Sequence, residues 1–181
     1  MTLEIGQPFR PELPDVVSAR QGETERAVVR VGVVGLGYWG PNLVRNLSEI
    51  EGAEAAWMCD VDPGPLEKLG RRFPAIRQTR ELDEMLDDPK LDAVCVVTPV
   101  STHYDIAMRA LEAGKHVFVE KPLAPSSQLA RELIRTAGER DLVLMPGHTF
   151  LYSPPVTRIR DLIHSGELGS IYFVSMSRVN L

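Results

Sequence analysis

The sequence predicts an α/β fold: a doubly wound parallel sheet with helices on both faces. A β-branched run at 28–34 leads directly into a glycine-rich turn at 35–40 and then into apolar residues at helical spacing. Short apolar runs then alternate with helical segments up to residue 145. Unbroken apolar runs are typical of strands buried on both faces, and their alternation with helices implies right-handed crossovers.

The first three predicted strands are 28–34, 53–59 and a short, weak segment that begins at Ala75. A helix is predicted after each of them. Pro41 suits the first turn of the first helix, because a residue there has no hydrogen-bonded N–H to lose. The residues that define the apolar faces of these helices are Leu43, Val44, Leu47 and Ile50, then Leu66 and Leu69, and then Leu82, Met85 and Leu86.

The last three predicted strands are 92–98, 116–120 and 141–145. Of the two helices between them, the first is expected to be capped by Ser101 or Thr102 and to end at Gly114. The second is expected to be capped by Ser126 or Ser127. The residues predicted on their apolar faces are Ile106, Ala107, Ala110 and Leu111 in the first helix and Leu129, Leu133, Ile134 and Ala137 in the second.

The two ends of the chain depart from this pattern. Residues 1–27 are polar, contain three prolines and lack periodicity, which predicts a mobile N-terminal extension. Residues 28–147 form the predicted main domain. Residues 148–181, with a predicted helix at 155–165 and a strand at Ile171–Val179, are interpreted as the incomplete start of a truncated α+β domain. A strand with unpaired edges favours association, so we expect the chain to self-associate.

The composition excludes several classes of function. A formal net charge of −5 argues against nucleic acid or an anionic membrane as a partner. No apolar run reaches the roughly 20 residues that span a bilayer, and the N-terminus lacks the apolar core of a signal peptide, so a cytoplasmic protein is expected. Cys59 and Cys95 lie in predicted strands and are interpreted as core residues. Without a CxxC or HExxH motif, no metal site is expected.

The glycine-rich turn carries the main functional signal. Gly35 predicts a tight turn, Gly37 leaves room for backbone N–H groups to reach a pyrophosphate, and Gly40 allows the helix to pack closely on the strand. Tyr38 and Trp39 either line a cofactor cleft or pack on the turn, and packing is favoured for Tyr38. The pattern predicts a dinucleotide site, and a glycine-rich turn in another kind of α/β protein is the alternative.

Asp60 stands at the end of the second strand, twenty residues after Gly40. A carboxylate there can accept hydrogen bonds from a ribose 2′-hydroxyl, although an acid also suits the start of the turn at 62–64. No basic residue stands beside Asp60 in the sequence to hold a 2′-phosphate. The expected cofactor is therefore NAD rather than NADP.

Several motifs together resemble the Gfo/Idh/MocA family, named for glucose–fructose oxidoreductase and inositol dehydrogenase. The matching segments are 35–40 (GLGYWG), 59–62 (CDVD), 98–99 (TP) with His103, 113–116 (AGKH) and 120–122 (EKP). The resemblance implies a Rossmann domain that binds NAD. It also implies a following antiparallel sheet domain that holds the substrate and mediates homo-oligomer formation.

Glu120, Lys121 and Pro122 follow a buried strand at the edge where open α/β sheets bind ligands. A cationic Lys121 beside a substrate hydroxyl would stabilise the developing alkoxide. The resemblance assigns this catalytic position to Lys121 and a contact with the cofactor ribose to Glu120. A solvated loop position is the alternative for Lys121, and the Lys121–Pro122 bond is a candidate cis peptide.

The resemblance also brings Thr98, Pro99 and His103 to the cofactor. Thr98 and Pro99 fit a strand-ending turn equally well, so both interpretations stay open. His103 is either a surface histidine or a neighbour of the nicotinamide, and the resemblance favours the second.

Two hypotheses about the function of the chain remain. The first is an NAD-dependent oxidoreductase that transfers a hydride at a hydroxyl of a small-molecule sugar, cyclitol or sugar nucleotide. The second is a remnant or stand-alone NAD-binding module without turnover, because the family's usual proton acceptor lies beyond residue 181. A short-chain dehydrogenase is excluded, since no tyrosine has a lysine four residues later; those positions hold Asn42, Met108, Val156 and Met176.

Overall fold

The computed structural model describes residues 28–177 and 179. Its centre is a six-stranded sheet in the order β3-β2-β1-β4-β5-β6, in which every neighbouring pair is parallel. The strands are β1 Val29–Val34, β2 Ala53–Cys59, β3 Arg77–Thr79, β4 Ala93–Val96, β5 His116–Val119 and β6 Leu144–Pro146. The helices are α1 Gly40–Glu49, α2 Pro63–Arg72, α3 Leu82–Leu86, α4 His103–Glu112, α5 Ser127–Glu139 and α6 Pro154–His164. The predicted doubly wound parallel sheet is confirmed.

Two separate cores lie on the two faces of the sheet. Val33 and Met58 belong to one core, and the adjacent residues Val34 and Trp57 belong to the other. Because side chains alternate along a strand, a strand covered on both faces has to be apolar throughout. Helices α1 and α2 supply the first core, and α3, α4 and α5 supply the second.

The expected caps are found at two helix ends and missing at a third. Ser126 caps α5, since its Oγ accepts a hydrogen bond from the Leu129 N–H at 3.2 Å. Gly114 follows α4 with a φ of +74°, a conformation that favours glycine. At the start of α4, a short 3₁₀ turn precedes the helix, and the Thr102 hydroxyl donates back to the Pro99 carbonyl oxygen instead of accepting from the helix. The expected hydroxyl cap of α4 is therefore wrong.

Polar groups secure the connection between α3 and β4. The Asp88 carboxylate accepts hydrogen bonds from Trp57 Nε1 at 2.8 Å and from Arg77 at 3.3 Å. The hydrogen bond from Trp57, together with one from the Lys90 backbone, holds the pKa of Asp88 below its usual 3.8. The buried Lys115 donates from Nζ to the carbonyl oxygens of Asp88 and Leu91, at 2.8 and 2.9 Å.

Other expectations need correction. Residues 171–177 have no regular structure, because the described residues offer no neighbouring strand to receive their backbone hydrogen bonds. Ile134 was expected on the apolar face of α5 but is 58% exposed, since it lies beside that face rather than on it. The predicted extension at 1–27 lies outside the described residues.

Within the described residues, no helix is long and apolar enough to cross a membrane. The same residues contain no group of three or more potential metal ligands.

Candidate functional site

The candidate site lies at the carboxyl ends of β1 and β4. These strands are neighbours, but the chain leads from β1 towards β2 on one side and from β4 towards β5 on the other. The loops that follow them therefore diverge and leave a crevice between them, which is where open α/β sheets bind ligands.

The first and last glycines of the turn are required by close backbone contacts. Gly35 has a φ of +93°, and a Cβ on it would lie 2.7 Å from the carbonyl oxygen of Val97. A Cβ on Gly40 would lie 2.1 Å from the carbonyl oxygen of Gly35. The turn can therefore approach both β4 and the start of α1 only because these residues lack side chains. The expected tight turn and close packing are confirmed.

Gly37 has a different environment. A Cβ on Gly37 would meet nothing within 4 Å, and the residue is exposed at the mouth of the crevice. Among the described residues, no side chain caps α1, which begins directly after the turn. This open cradle and the uncapped helix start fit a pyrophosphate, which accepts hydrogen bonds from backbone N–H groups at such a place.

Asp60 connects the glycine turn to the loop after β2. Its Oδ2 accepts from the Leu36 N–H at 2.6 Å, and its Oδ1 accepts from the Asp62 N–H at 2.9 Å. A carboxylate offers about four acceptor directions, so these two contacts leave capacity for hydroxyl donors. The side chain is half-buried and stays accessible from the crevice.

Sequence reasoning missed Arg80, which the fold brings next to the Asp60 loop. Asp60 follows β2 and Arg80 follows β3, and the ends of these strands are paired through Cys59 and Thr79. Arg80 Nε donates to the Val61 carbonyl oxygen at 3.1 Å. The expectation that no basic residue stands beside Asp60 therefore holds along the sequence but not in space. A predicted pairing of the second and third strands was the signal that could have found Arg80.

The two aromatic residues of the turn face outwards. Tyr38 is 84% exposed and Trp39 is 52% exposed, and their rings meet edge to face with centroids 5.2 Å apart. Packing of Tyr38 on the turn, the favoured interpretation, is therefore wrong, because its ring projects into solvent and meets the neighbouring ring of Trp39 instead. Both side chains project over the same edge of the sheet as the glycine turn.

Thr98 and Pro99 follow β4 after Val97 and line the opposite wall of the crevice. Thr98 Cγ2 would be 2.9 Å from a Cβ on Gly35, so the two walls touch at this point. The hydroxyl oxygens of Thr98 and Thr102 lie 2.8 Å apart. Both residues take part in a strand-ending turn, and both are open to a ligand at this edge.

The segment after β5 holds the candidate catalytic lysine. The Lys121–Pro122 peptide bond is cis, as expected. Lys121 is exposed, and its backbone N–H donates to Glu120 Oε2 at 3.1 Å. Gly147, after β6, was missed as a contributor: a Cβ there would lie 3.3 Å from the Glu120 Cα and Cδ atoms. The small residue lets the loop after β6 approach Glu120.

His103 lies inside the protein, with 1% of its surface exposed. Its Nδ1 lies 2.8 Å from the Pro122 carbonyl oxygen, and its Nε2 lies 2.8 Å from the Thr98 carbonyl oxygen. The surface interpretation is wrong. The expected cofactor contact is not supported by this geometry, because both polar atoms of the ring are already occupied within the protein.

Two buried thiols lie behind the crevice. Burial, with the nearby Asp60 carboxylate, raises the pKa of Cys59 to about 11. Burial raises the pKa of Cys95 to about 12. Both thiols stay protonated near neutral pH, so neither supplies a nucleophile to the site.

The sheet order, the glycine turn and the acid after β2 define a dinucleotide-binding protein of the Rossmann type. The profile of the GFO_IDH_MocA oxidoreductase family, described by its NAD-binding Rossmann fold, matches residues 29–148. The chain therefore belongs to the Gfo/Idh/MocA family, and the resemblance seen in its motifs is confirmed. The family assignment also confirms the expected NAD-binding character.

Individual relatives agree with this assignment. The chain is 33% identical over 152 residues to the scyllo-inositol 2-dehydrogenase (NAD(+)) of Bacillus subtilis strain 168. This match covers 83% of this chain and 44% of that protein. The structure of GenD2 from gentamicin A biosynthesis, in complex with NAD, matches with a TM-score of 0.73 and 37% identity, over 77% of this chain and 40% of that one.

A third relative matches over a similar share of both chains. The scyllo-inositol dehydrogenase from Lactobacillus casei, with bound NAD(H) and scyllo-inositol, matches with a TM-score of 0.74 and 25% identity. That match covers 78% of this chain and 42% of the relative. The chain thus spans less than half the length of these relatives.

Proposed function

We propose that this chain is the cofactor-binding part of an NAD-dependent oxidoreductase that acts on a hydroxyl of a sugar, cyclitol or sugar nucleotide. The observation that carries the proposal is the crevice between the glycine turn and the loop after β4, with the segment after β5 at the same edge of the sheet. On one side, Gly37 and Asp60 offer an open cradle and a carboxylate. On the other side, Lys121 projects from the same edge of the sheet.

The proposed role of the first side is binding. The turn at 35–40 and the start of α1 hold the pyrophosphate, and the free acceptor directions of Asp60 receive the adenosine ribose hydroxyls. We propose NAD rather than NADP. Arg80 is close, but Glu81 and Glu84 line the same pocket as Arg80 and disfavour a further phosphate there.

The proposed role of the second side is chemical. Bound NAD supplies a hydride acceptor at this edge of the sheet. Thr98 and Pro99 shape the wall next to the nicotinamide, and Glu120 contacts the ribose. The ammonium group of Lys121 stabilises the negative charge that develops on the substrate oxygen as its proton leaves.

We propose that residues 28–147 form the cofactor domain and that residues 148–181 begin a second, substrate-holding domain. Two observations support this division: the family profile matches 29–148, and α6 contacts little of the sheet domain. In a complete cytoplasmic protein, that second domain would supply the proton acceptor and the homo-oligomer interface. The alternative is an NAD-binding module without turnover.

The test compares two glycine substitutions in open space. A Cβ meets nothing within 4 Å at Gly37 or at Gly138, which lies in α5 far from the crevice. Both G37A and G138A should therefore fold as the unsubstituted chain does. NADH binding, followed by energy transfer from tryptophan to the nicotinamide, should be lost in G37A and retained in G138A.

Three other results would contradict the binding site, contradict the proposal or favour the alternative function. Equal NADH binding by both variants would place the pyrophosphate elsewhere and contradict the site. Absence of NADH binding by the folded unsubstituted chain would contradict the proposal that this part of the protein binds the cofactor by itself. Binding of NADH without any turnover of polyols would favour the module.

A further inference from the structure

His103 is buried, and both of its ring nitrogens already have partners within the protein. Helix α4 begins at His103, between the loop that follows β4 and the loop that follows β5. The two ring nitrogens each lie 2.8 Å from a backbone carbonyl oxygen, one at Thr98 and the other at Pro122. The imidazole therefore joins two loops that both line the proposed site.

The imidazole ring connects the loops after β4 and β5 just beyond the last backbone hydrogen bond between these two strands. The last backbone hydrogen bond between the β4 and β5 segments runs from the Glu120 N–H to the Val96 carbonyl oxygen, at 2.9 Å. Beyond it, within residues 28–177, no backbone hydrogen bond joins 97–102 to 121–125. His103 supplies the next connection, and it attaches to the residue directly after Lys121.

Burial of His103 increases the energetic importance of these hydrogen bonds. A hydrogen bond that is shielded from water is stronger than an exposed one, and a buried carbonyl that loses its partner is costly. A neutral imidazole can donate to one of the two carbonyl oxygens, and an imidazolium can donate to both. In either form, the ring fills the space between the loops and fixes their separation.

We propose that His103 is a positioning residue that holds the Lys121 loop against the end of β4, so that the Lys121 ammonium group stays at the nicotinamide side of the crevice. This inference rests on the role proposed for Lys121. His103 touches neither cofactor nor substrate, and it acts through the Pro122 carbonyl oxygen. Loss of the bridge releases Lys121 while leaving the glycine turn, and with it the pyrophosphate site, in place.

The small number of lysines makes Lys121 easy to follow. The sequence contains four: Lys68, Lys90, Lys115 and Lys121. Lys115 is buried and donates from Nζ to two carbonyl oxygens, whereas Lys68 and Lys90 are exposed on other parts of the fold, Lys68 on α2 and Lys90 between α3 and β4. The initial rate of acetylation at each lysine, measured by mass spectrometry on the native chain, therefore gives two internal controls for Lys121.

The experiment compares acetylation with and without saturating NADH in the unsubstituted chain, H103F and Y104F. H103F keeps an aromatic ring of similar size but has no donor. Y104F removes a 2.7 Å hydrogen bond to Glu132 from the same turn of α4 and leaves the Lys121 loop untouched. NADH should protect Lys121 in the unsubstituted chain and in Y104F. In H103F, this protection should fall by about fivefold, the factor for a lost hydrogen bond of about 1 kcal/mol, while NADH still binds.

Contrary results separate the inference from the function on which it rests. Undiminished protection of Lys121 in H103F would overturn the positioning role. Equal changes at Lys68 and Lys90 would also overturn it, because they would show a general loss of stability. NADH binding without protection of Lys121 in the unsubstituted chain would instead overturn the role proposed for Lys121, and the inference with it.

A second variant decides the question if H103F does not fold. H103Q retains an N–H donor that can reach one carbonyl oxygen. It should restore folding and recover part of the NADH protection of Lys121. A folded H103Q in which Lys121 is as well protected as in the unsubstituted chain would count against the proposal, because glutamine does not fill the space of the ring between the two loops.

Discussion

At the scale of single residues, the glycines with a positive φ differ in what they tolerate. Gly35 has a φ of +93° and Gly52 a φ of +85°, so a side chain is strained at either position. Only Gly35 also faces backbone, since a Cβ added there would lie 2.7 Å from the Val97 carbonyl oxygen, whereas Gly52 has open space. The pair therefore separates conformational strain from a steric clash.

We expect G52A to lower the free energy of unfolding by about 1 kcal/mol and G35A to lower it by about 3 kcal/mol or more. The difference arises because the methyl group in G35A would clash with the backbone of Val97, directly after β4. Backbone moves aside less easily than a side chain does. Urea unfolding followed by far-UV circular dichroism measures both values. Equal losses in the two variants would show that the loop after β4 yields to the added methyl group.

Single residues also show how far the sequence predicts the site. The spacing of Gly35, Gly40 and Asp60 was sufficient to place them together at the crevice, because all three lie within one strand–turn–helix–strand unit. Arg80 and His103 were missed or misplaced, because their positions depend on contacts between elements distant along the chain. Arg80 meets the Asp60 loop only through strand pairing, and His103 meets Pro122 only through the packing of α4.

At the scale of secondary structure elements, the sequence predicted all six strands in their order along the chain, and their parallel arrangement. Boundaries were less accurate: β4 is Ala93–Val96 rather than 92–98, since pairing with β1 and β5, not hydrophobicity, decides where a strand ends. The segment 171–177 shows the same principle more strongly. Its composition suits a strand, but a strand exists only where a neighbour accepts its hydrogen bonds.

The polar connection between α3 and β4 predicts a pH dependence of stability. The pKa of Asp88 is lowered in the folded protein, chiefly by the hydrogen bond from Trp57. The ionised carboxylate therefore stabilises the fold above the unfolded-state value of 3.8, and this contribution is lost as the pH falls through the lower folded-state pKa. Removal of the charge should lower the free energy of unfolding at neutral pH. It should also weaken the dependence of that free energy on pH at acidic pH.

We expect D88N to unfold at lower urea concentration than the unsubstituted chain at pH 7, with a difference that shrinks as the pH falls below about 4. The matched control is D105N, in the exposed first turn of α4, on a different element from Trp57 and Arg77. A constant difference between D88N and the unsubstituted chain from pH 7 to about pH 3 would contradict the assignment.

At the scale of the whole molecule, the described residues leave an apolar surface uncovered around α6. Ile159 and Ile163 lie on this helix and are largely exposed, and Phe173 and Val174 follow nearby along the chain. Exposed apolar groups of this extent mark interaction surfaces. We expect the chain to self-associate in sedimentation velocity experiments.

The double variant I159E/I163E should shift the chain towards monomer without changing its far-UV circular dichroism, because both side chains face outwards. I134E is the control, since Ile134 is equally exposed but lies on α5, away from this surface. A monomeric unsubstituted chain, or a response to I134E as large as that to the double variant, would contradict an interface at α6.

The burial of both cysteines has a practical consequence for spectroscopy. With thiol pKa values of about 11 and 12 and little solvent access, Cys59 and Cys95 should react slowly with maleimides at neutral pH. A single cysteine introduced on the surface would then be labelled selectively in the otherwise native sequence. Fluorophores attached in this way on either side of the crevice would report the distance across it, one molecule at a time.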